Sequence, residues 1–192
     1  MGKAKIILAS GSPRRRELMK LITDDFTAVS VNADETLPEG IPPENAAEFL
    51  SAVKAEAAAL RYPDCLVIGC DTVVVAEGRI LGKPADKAQC REFMELLSDN
   101  GHQVYTGCTM IYGGKKHSFS SCTLVRFREL SDEEIEEYIS TDEPYDKAGG
   151  YGIQGKAALF TDYITGDFYN VVGLPVSRLS TELKRFRKEQ DI

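Results

Sequence analysis

Lys5-Ile-Ile-Leu-Ala-Ser-Gly-Ser-Pro-Arg-Arg-Arg-Glu-Leu18 changes its period halfway along. Lys5 to Ala9 is an apolar run of strand length, and Ser10-Gly-Ser-Pro13 interrupts it. From there Leu18, Leu21 and Ile22 return at helical spacing. The stretch therefore predicts strand, loop, helix. Ser12 suits the N-cap, and Pro13 suits the first helical position, where a missing N–H costs nothing. Arg14, Arg15 and Arg16 then fall in the first turn, against the positive end of the helix dipole. Backbone N–H groups, hydroxyls and guanidinium forks can all face the oxygens of one anion there. The alternative reading is a solvated basic turn. No GxxxxGK[ST] string occurs in the chain, which argues against a P-loop enzyme.

Outward from this unit, strands and helices alternate. Phe26 to Val31 alternates as a strand, and Glu44 to Leu60 is an alanine-rich helix carrying Lys54. Leu66 to Ala76 is a β-branched strand interrupted by Gly69. Glu77-Gly78 marks a turn into Arg79-Ile-Leu81 and Gly82-Lys-Pro84. Asp86-Lys-Ala-Gln89 and Ser131-Asp-Glu-Glu134 have the spacing of capping boxes, opening helices to about Leu97 and Ser140. Between them Gln103 to Tyr112 and Ser118 to Phe127 form a hairpin around Gly113-Gly114. The glycine-rich Ala148 to Gly155 leads to a strand over Ala157 to Ile164, and an amphipathic helix covers about Pro175 to Arg187. Without repeats or linkers, residues 1–192 read as one α/β unit.

Composition bounds the function. Of 192 residues, 43% are hydrophobic and 28% charged, an ordinary globular balance. Apolar runs stop at strand length, far below the roughly 20 residues that cross a bilayer. The start, Met1-Gly-Lys-Ala-Lys5, lacks the apolar core of a signal peptide, so a soluble cytoplasmic protein is expected. The net charge of −7 disfavours nucleic acid as a partner, while a local cationic cluster can still hold a small anion. Five cysteines lack zinc-site spacing and an even count, so they are expected reduced and mostly buried. His102 and His117 are the only histidines and form no metal or triad pattern.

Asp71 stands inside an otherwise apolar strand, and a buried carboxylate needs a partner, a metal or a function. A backbone N–H that satisfies it is the other reading. Ser10, Asp34, Glu35 and Asp71 offer the hard oxygens that Mg²⁺ prefers. Lys54 and Lys83 are weak signals alone, since most lysines are solvated.

Five blocks together resemble the Maf family: Leu8-Ala-Ser-Gly-Ser-Pro-Arg-Arg15, Gly69-Cys-Asp-Thr-Val73, Gly82-Lys-Pro84, Asp146-Lys-Ala-Gly-Gly-Tyr-Gly-Ile-Gln-Gly155 and Val171-Val-Gly-Leu-Pro175. They run in family order from residue 6 to about 180. The resemblance implies a mixed, elongated sheet with flanking helices in two lobes around a deep cleft, similar to inosine-triphosphate pyrophosphatases. It implies hydrolysis of nucleoside triphosphates to monophosphate and pyrophosphate with a divalent cation, Mg²⁺ or Mn²⁺, as a housecleaning activity. Carried over, Asp71 is the general base and, with Glu35, the metal site. Ser10, Ser12, Arg14, Arg15, Lys54 and Lys83 contact phosphates, and Thr72 and Gln154, with Arg14, select the base. The Tyr-Gly-Ile-Gln154-Gly string resembles the dTTP and UTP branch, and a homodimer is in keeping with the family. A Gln amide presents both a donor and an acceptor to a pyrimidine edge.

The same residues leave three rival readings, the first prompted by the link of the resembled family to inhibition of septum formation. A nucleotide-binding regulator of septum formation needs the cationic residues but not Asp71. A phosphatase removing only the terminal phosphate gives orthophosphate instead of pyrophosphate. Nucleic-acid binding through the arginine loop predicts steep salt dependence, which the acidic balance opposes.

Overall fold

A computed structural model describes residues 4–192; the reading made of Met1 to Lys3 lies outside them. In chain order the elements are β1 (Ile6–Ala9), α1 (Pro13–Lys20), β2 (Phe26–Val29), α2 (Pro43–Ala59), β3 (Leu66–Ala76), β4 (Arg79–Leu81) and α3 (Lys87–Leu97). They continue with β5 (Gly101–Tyr112), β6 (Lys115–Phe127), α4 (Asp132–Ile139), β7 (Thr161–Thr165), α5 (Phe168–Val172) and α6 (Val176–Glu189). The strands form one sheet in the order β2-β1-β3-β5-β6-β7, with β4 paired to β3. It is mixed, as expected: β1 runs parallel to β2 and β3, whereas β3–β4 and β6–β7 are antiparallel. The chain divides into two compact units. The first takes the described chain up to Asp71, Thr106–Ser121 and Gly173–Ile192; the second takes Thr72–Tyr105 and Cys122–Val172.

In the first unit, residues two apart on a strand share a face, and Ile7, Ala9 and Val67 pack with Ala55 and Ala58 of α2 in one buried cluster. Two glycines let α2 approach. A Cβ on Gly69 would lie 2.3 Å from the Ser51 carbonyl oxygen and 2.6 Å from the Ala55 nitrogen, and one on Gly107 2.2 Å from the Ala47 carbonyl oxygen. The gap at Gly69 thus seats the helix, whose alanines keep it equally thin on that side. A buried hydroxyl chain ties the layers: Ser51 Oγ lies 2.8 Å from Thr109 Oγ1, which lies 2.9 Å from Ser118 Oγ.

In the second unit α3 buries Cys90, Phe93, Met94 and Leu97, the 3–4 spacing of one helical face. Asp86 caps it, but Gln89 turns to the Ala85 N–H instead of closing a capping box. The box at Ser131 and Glu134 is complete, and the Arg128 guanidinium beside Glu134 holds that carboxyl down to about 2. An aromatic cluster of Phe127, Tyr138, Tyr151 and Phe160 surrounds the fully buried His102 side of the sheet, with edge-to-face contacts at 4.9–6.0 Å.

Three expectations need correction. α1 stops at Lys20 because the Ile22 N–H bonds the Met19 carbonyl in a tighter turn, leaving Leu21 exposed. The strand expected over Ala157 to Ile164 begins only at Thr161; Lys156–Leu159 is a 3₁₀ turn whose first N–H is held by the Glu143 carboxylate at 3.0 Å. Phe168–Val172 forms a short helix that periodicity did not suggest.

Candidate active site

The first unit gathers a site at the carboxyl ends of its parallel strands, where open α/β sheets place their ligands. The β1–β3 register ends on Ala9 opposite Gly69. Ser10 follows on one strand, Cys70 and Asp71 on the other. Asp71 shares the Gly69 face by strand alternation, and that face carries α2. Lys54 lies next to Ala55, the residue that Gly69 admits, so its ammonium meets the Asp71 carboxylate in a direct ion pair. The same ammonium lies 3.1 Å from Glu35 Oε2. The Lys54 and Asp71 side chains are only 15% and 12% exposed, against 50% for Glu35. The partner that a carboxylate in an apolar strand requires is therefore Lys54.

The arginine loop folds as its residues predict. Ser12 is the N-cap, its Oγ accepting the Arg15 N–H at 3.4 Å, and Pro13 is the first helical residue. Ser10 is 6% exposed, and its Oγ accepts the Ser12 N–H at 3.2 Å. Arg15 Nε donates to the Gly173 carbonyl at 2.9 Å, and its Nη1 lies 3.4 Å from Ser10 Oγ. Arg15 thus joins the first and the last motif of the sequence. Arg14 is half-buried and Arg16 exposed on the same turn.

Glu35 and Asp71 both face one cationic centre. Two carboxylates of this kind are the hard donors that Mg²⁺ takes when phosphates and water complete its shell, so the donor chemistry fits a divalent cation. Among the described residues no group of three or more His, Cys, Asp or Glu side chains could hold an ion by itself. Asp34, offered by the sequence as a further oxygen donor, is instead engaged with Thr36, whose hydroxyl first and N–H second, the latter at 3.0 Å, hold its carboxyl below the usual range.

Behind Asp71, Cys70 Sγ lies 3.6 Å from Cys108 Sγ, both fully buried. A hydrogen bond from Cys108 and the charge of Arg15 lower the Cys70 thiol, while burial raises that of Cys108. All five cysteines are free; Cys90 is also buried, whereas Cys122 is exposed.

Thr72, Lys83 and Gln154 belong to the second unit. Lys83 and Gln154 are exposed, on two segments joined by the Gly149 N–H, which donates to the Gly82 carbonyl at 2.9 Å. Gly149 and Gly150 have φ of 70° and 69°, and a Cβ on Gly149 would lie 2.9 Å from Val74. Only glycine makes that turn without strain. Tyr151 anchors the segment from beneath, its hydroxyl 2.7 Å from His102 Nε2. Sequence reasoning singled out neither Gly107, Glu143 nor the Gly173 carbonyl; a small residue facing an alanine-rich helix is the one readable signal among them.

The sheet and its flanking helices have the fold of the HAM1 protein from Coxiella burnetii: TM-score 0.51 and 15% identity, covering 95% of this chain and 100% of that one. That likeness fixes the class of fold. Within it the chain belongs to the Maf family, whose model, described as Maf-like protein, matches residues 5–186. A relative from Bacillus anthracis (strain CDC 684 / NRRL 3495), named dTTP/UTP pyrophosphatase, is 48% identical over 182 residues, 95% of each chain. One of the same name from Bacillus cereus (strain ATCC 10987 / NRS 248) is 49% identical over 182 residues, 95% of this chain and 90% of its own. No helix here is long and apolar enough to cross a membrane among the described residues.

Proposed function

We propose that this chain is a nucleoside triphosphate pyrophosphatase that hydrolyses dTTP and UTP, and modified pyrimidine nucleotides, to the monophosphate and pyrophosphate. The observation that carries this reading is the near-complete match, at 48% identity over 95% of the chain, to relatives with that activity in their name. The ion pair of Asp71 with Lys54, beside Glu35 and the Ser10 loop, supplies chemistry that fits it.

In the mechanism, water attacks the α-phosphorus, the bond from that phosphorus to the bridging oxygen breaks, and pyrophosphate leaves with the oxygen. Asp71 accepts the proton of the attacking water. Lys54 keeps that carboxylate in one orientation, and Glu35 completes the charged cluster. Ser10, Ser12, Arg14, Arg15 and Lys83 hold phosphate oxygens through hydroxyl, guanidinium and ammonium donors. Arg15, already bonded to Gly173, also fixes the loop on which Ser10 sits. Thr72 and Gln154, with Arg14, choose the base. A divalent cation held by Asp71 and Glu35, Mg²⁺ or Mn²⁺, would neutralise phosphate charge and stabilise the leaving group. A cytoplasmic location, a homodimer and the lack of a nucleic-acid partner complete the proposal, the last supported by the net charge of −7.

Product analysis with UTP and dTTP tests it. UMP or dTMP plus pyrophosphate is the expected outcome. UDP plus orthophosphate would make it a terminal phosphatase, and binding without turnover across Mg²⁺, Mn²⁺ and Co²⁺ would make it a regulatory nucleotide-binding protein. Asp71→Asn keeps shape and removes charge; turnover should fall by about 10²-fold or more, the scale of losing a positioned base.

A further inference from the structure

The turn that carries Gln154 closes on a single carboxylate. Glu143 Oε2 accepts the Lys156 N–H at 3.0 Å, on the far side of Gln154. Glu143 Oε1 accepts the hydroxyl of Tyr138 at 3.2 Å and lies 3.5 Å from where a Cβ on Gly152 would stand, on the near side. Tyr138 is itself 2% exposed and packs edge-to-face on Phe160 at 5.1 Å, so this contact rests on the core. Gly155 N–H to Gly152 carbonyl, at 2.9 Å, closes the turn internally. The carboxylate sits so near the backbone that a Cβ on Gly155 would lie 2.2 Å from Glu143 Oε1 and 2.4 Å from its Cδ. Lys147 holds Glu143 from behind through the Glu143 carbonyl.

A long, exposed amide such as Gln154 can read a base edge only if its backbone is fixed, because each freely moving rotor weakens discrimination between donor and acceptor patterns. We propose that Glu143 is the positioning residue for nucleobase selection: bonded to the Lys156 N–H and to Tyr138, and packed against Gly152 and Gly155, it sets the place of Gln154. The proposal rests on the reading that Gln154 selects the base.

The test is the ratio of kcat/KM for UTP to that for CTP, whose pyrimidine edges exchange donor for acceptor, measured beside the melting temperature. Glu143→Ala should narrow the ratio by about tenfold, the scale of one well-placed hydrogen bond. Glu143→Gln, which keeps an oxygen acceptor and places an N–H₂ beside Tyr138, should recover most of it. Gly155→Ala pushes on the same carboxylate and should reproduce the narrowing in a chain with all its native side chains. The double variant Glu143→Ala with Gly155→Ala should be no worse than Glu143→Ala, since the methyl then has room. An unchanged ratio in both Glu143→Ala and Gly155→Ala, with Gln154→Ala altering it, would overturn the role of Glu143 and leave base selection by Gln154 standing. An unchanged ratio in Gln154→Ala would overturn both.

Discussion

Gly69 and Asp71 lie two residues apart on one face of β3, and the missing side chain of the first brings the partner of the second into place. Without a Cβ at Gly69, α2 settles onto the sheet with the Ser51 carbonyl and Ala55 nitrogen in the space that a methyl would fill. Lys54 then reaches the Asp71 carboxylate. Gly69→Ala should therefore harm stability and activity together. Overpacking of this kind costs ~1–3 kcal/mol, which for a chain of this size means a drop in melting temperature of roughly 2–12 °C. Thermal unfolding beside pyrophosphate release checks it; an alanine variant with native stability and turnover would show that α2 does not need the gap.

Lys54→Met leaves the largely buried Asp71 carboxylate without its ammonium while keeping the side-chain volume. Breaking a mostly buried pair from one side costs up to ~3–5 kcal/mol when nothing replaces the partner. The exposed Glu35 and the rim position of this pair reduce that here to about 1–3 kcal/mol. The double variant Lys54→Met with Asp71→Asn should recover part of the loss, because it removes both charges. Urea unfolding of the four proteins of the cycle measures the coupling.

The fold was legible wherever local pattern and tertiary demand agreed. The change of period at Ser10-Gly-Ser-Pro13, the apolar run of β3 and the Ser131 box each became the element they suggest, because capping and burial act within a few residues. Legibility failed where a distant group decided. Lys156–Leu159 turns as a 3₁₀ segment where its N–H is held by Glu143, thirteen positions earlier. The site was legible in its residue types and not in its pairings. Asp71 was visible as a misplaced carboxylate, but its pairing with Lys54 depends on how close α2 comes to the sheet, and a strand glycine does not announce that. Arg15 illustrates the same limit: its charge suggests a phosphate, and its Nε is on the Gly173 carbonyl, 158 residues away.

Thiol reactivity follows burial. Cys122 is exposed and Cys65 half-buried, whereas Cys70, Cys90 and Cys108 are buried, and burial pushes the Cys90 thiol up to about 11. Reactivity needs both access and thiolate. Native protein treated with a disulfide reagent at pH 8 should release one equivalent quickly, Cys122 first and Cys65 more slowly, and the remaining three only after denaturation. Rapid loss of Cys70 in the native state would show that the strand end beside Asp71 opens to solvent.

His102 gives the stability a defined dependence on pH. It is fully buried among Phe127 and Tyr151, and burial lowers its titration from 6.5 to about 4. The neutral ring is the form that folding accepts, with Nε2 on the Tyr151 hydroxyl. Above pH 6.5 both folded and unfolded chains carry it neutral, and its contribution to stability is fully present. As pH falls below 6.5 the unfolded chain takes up a proton that the folded chain refuses until about pH 4, so stability drops across that window. One proton over two pH units is worth ~2–3 kcal/mol. Between pH 7 and pH 4.5, wild-type protein should thus lose about that much more unfolding free energy than His102→Gln, whose amide can still meet Tyr151 and carries no titrating proton. Equal losses in the two proteins would mean that His102 is protonated inside the fold, and the aromatic cluster would then have to open to admit its charge.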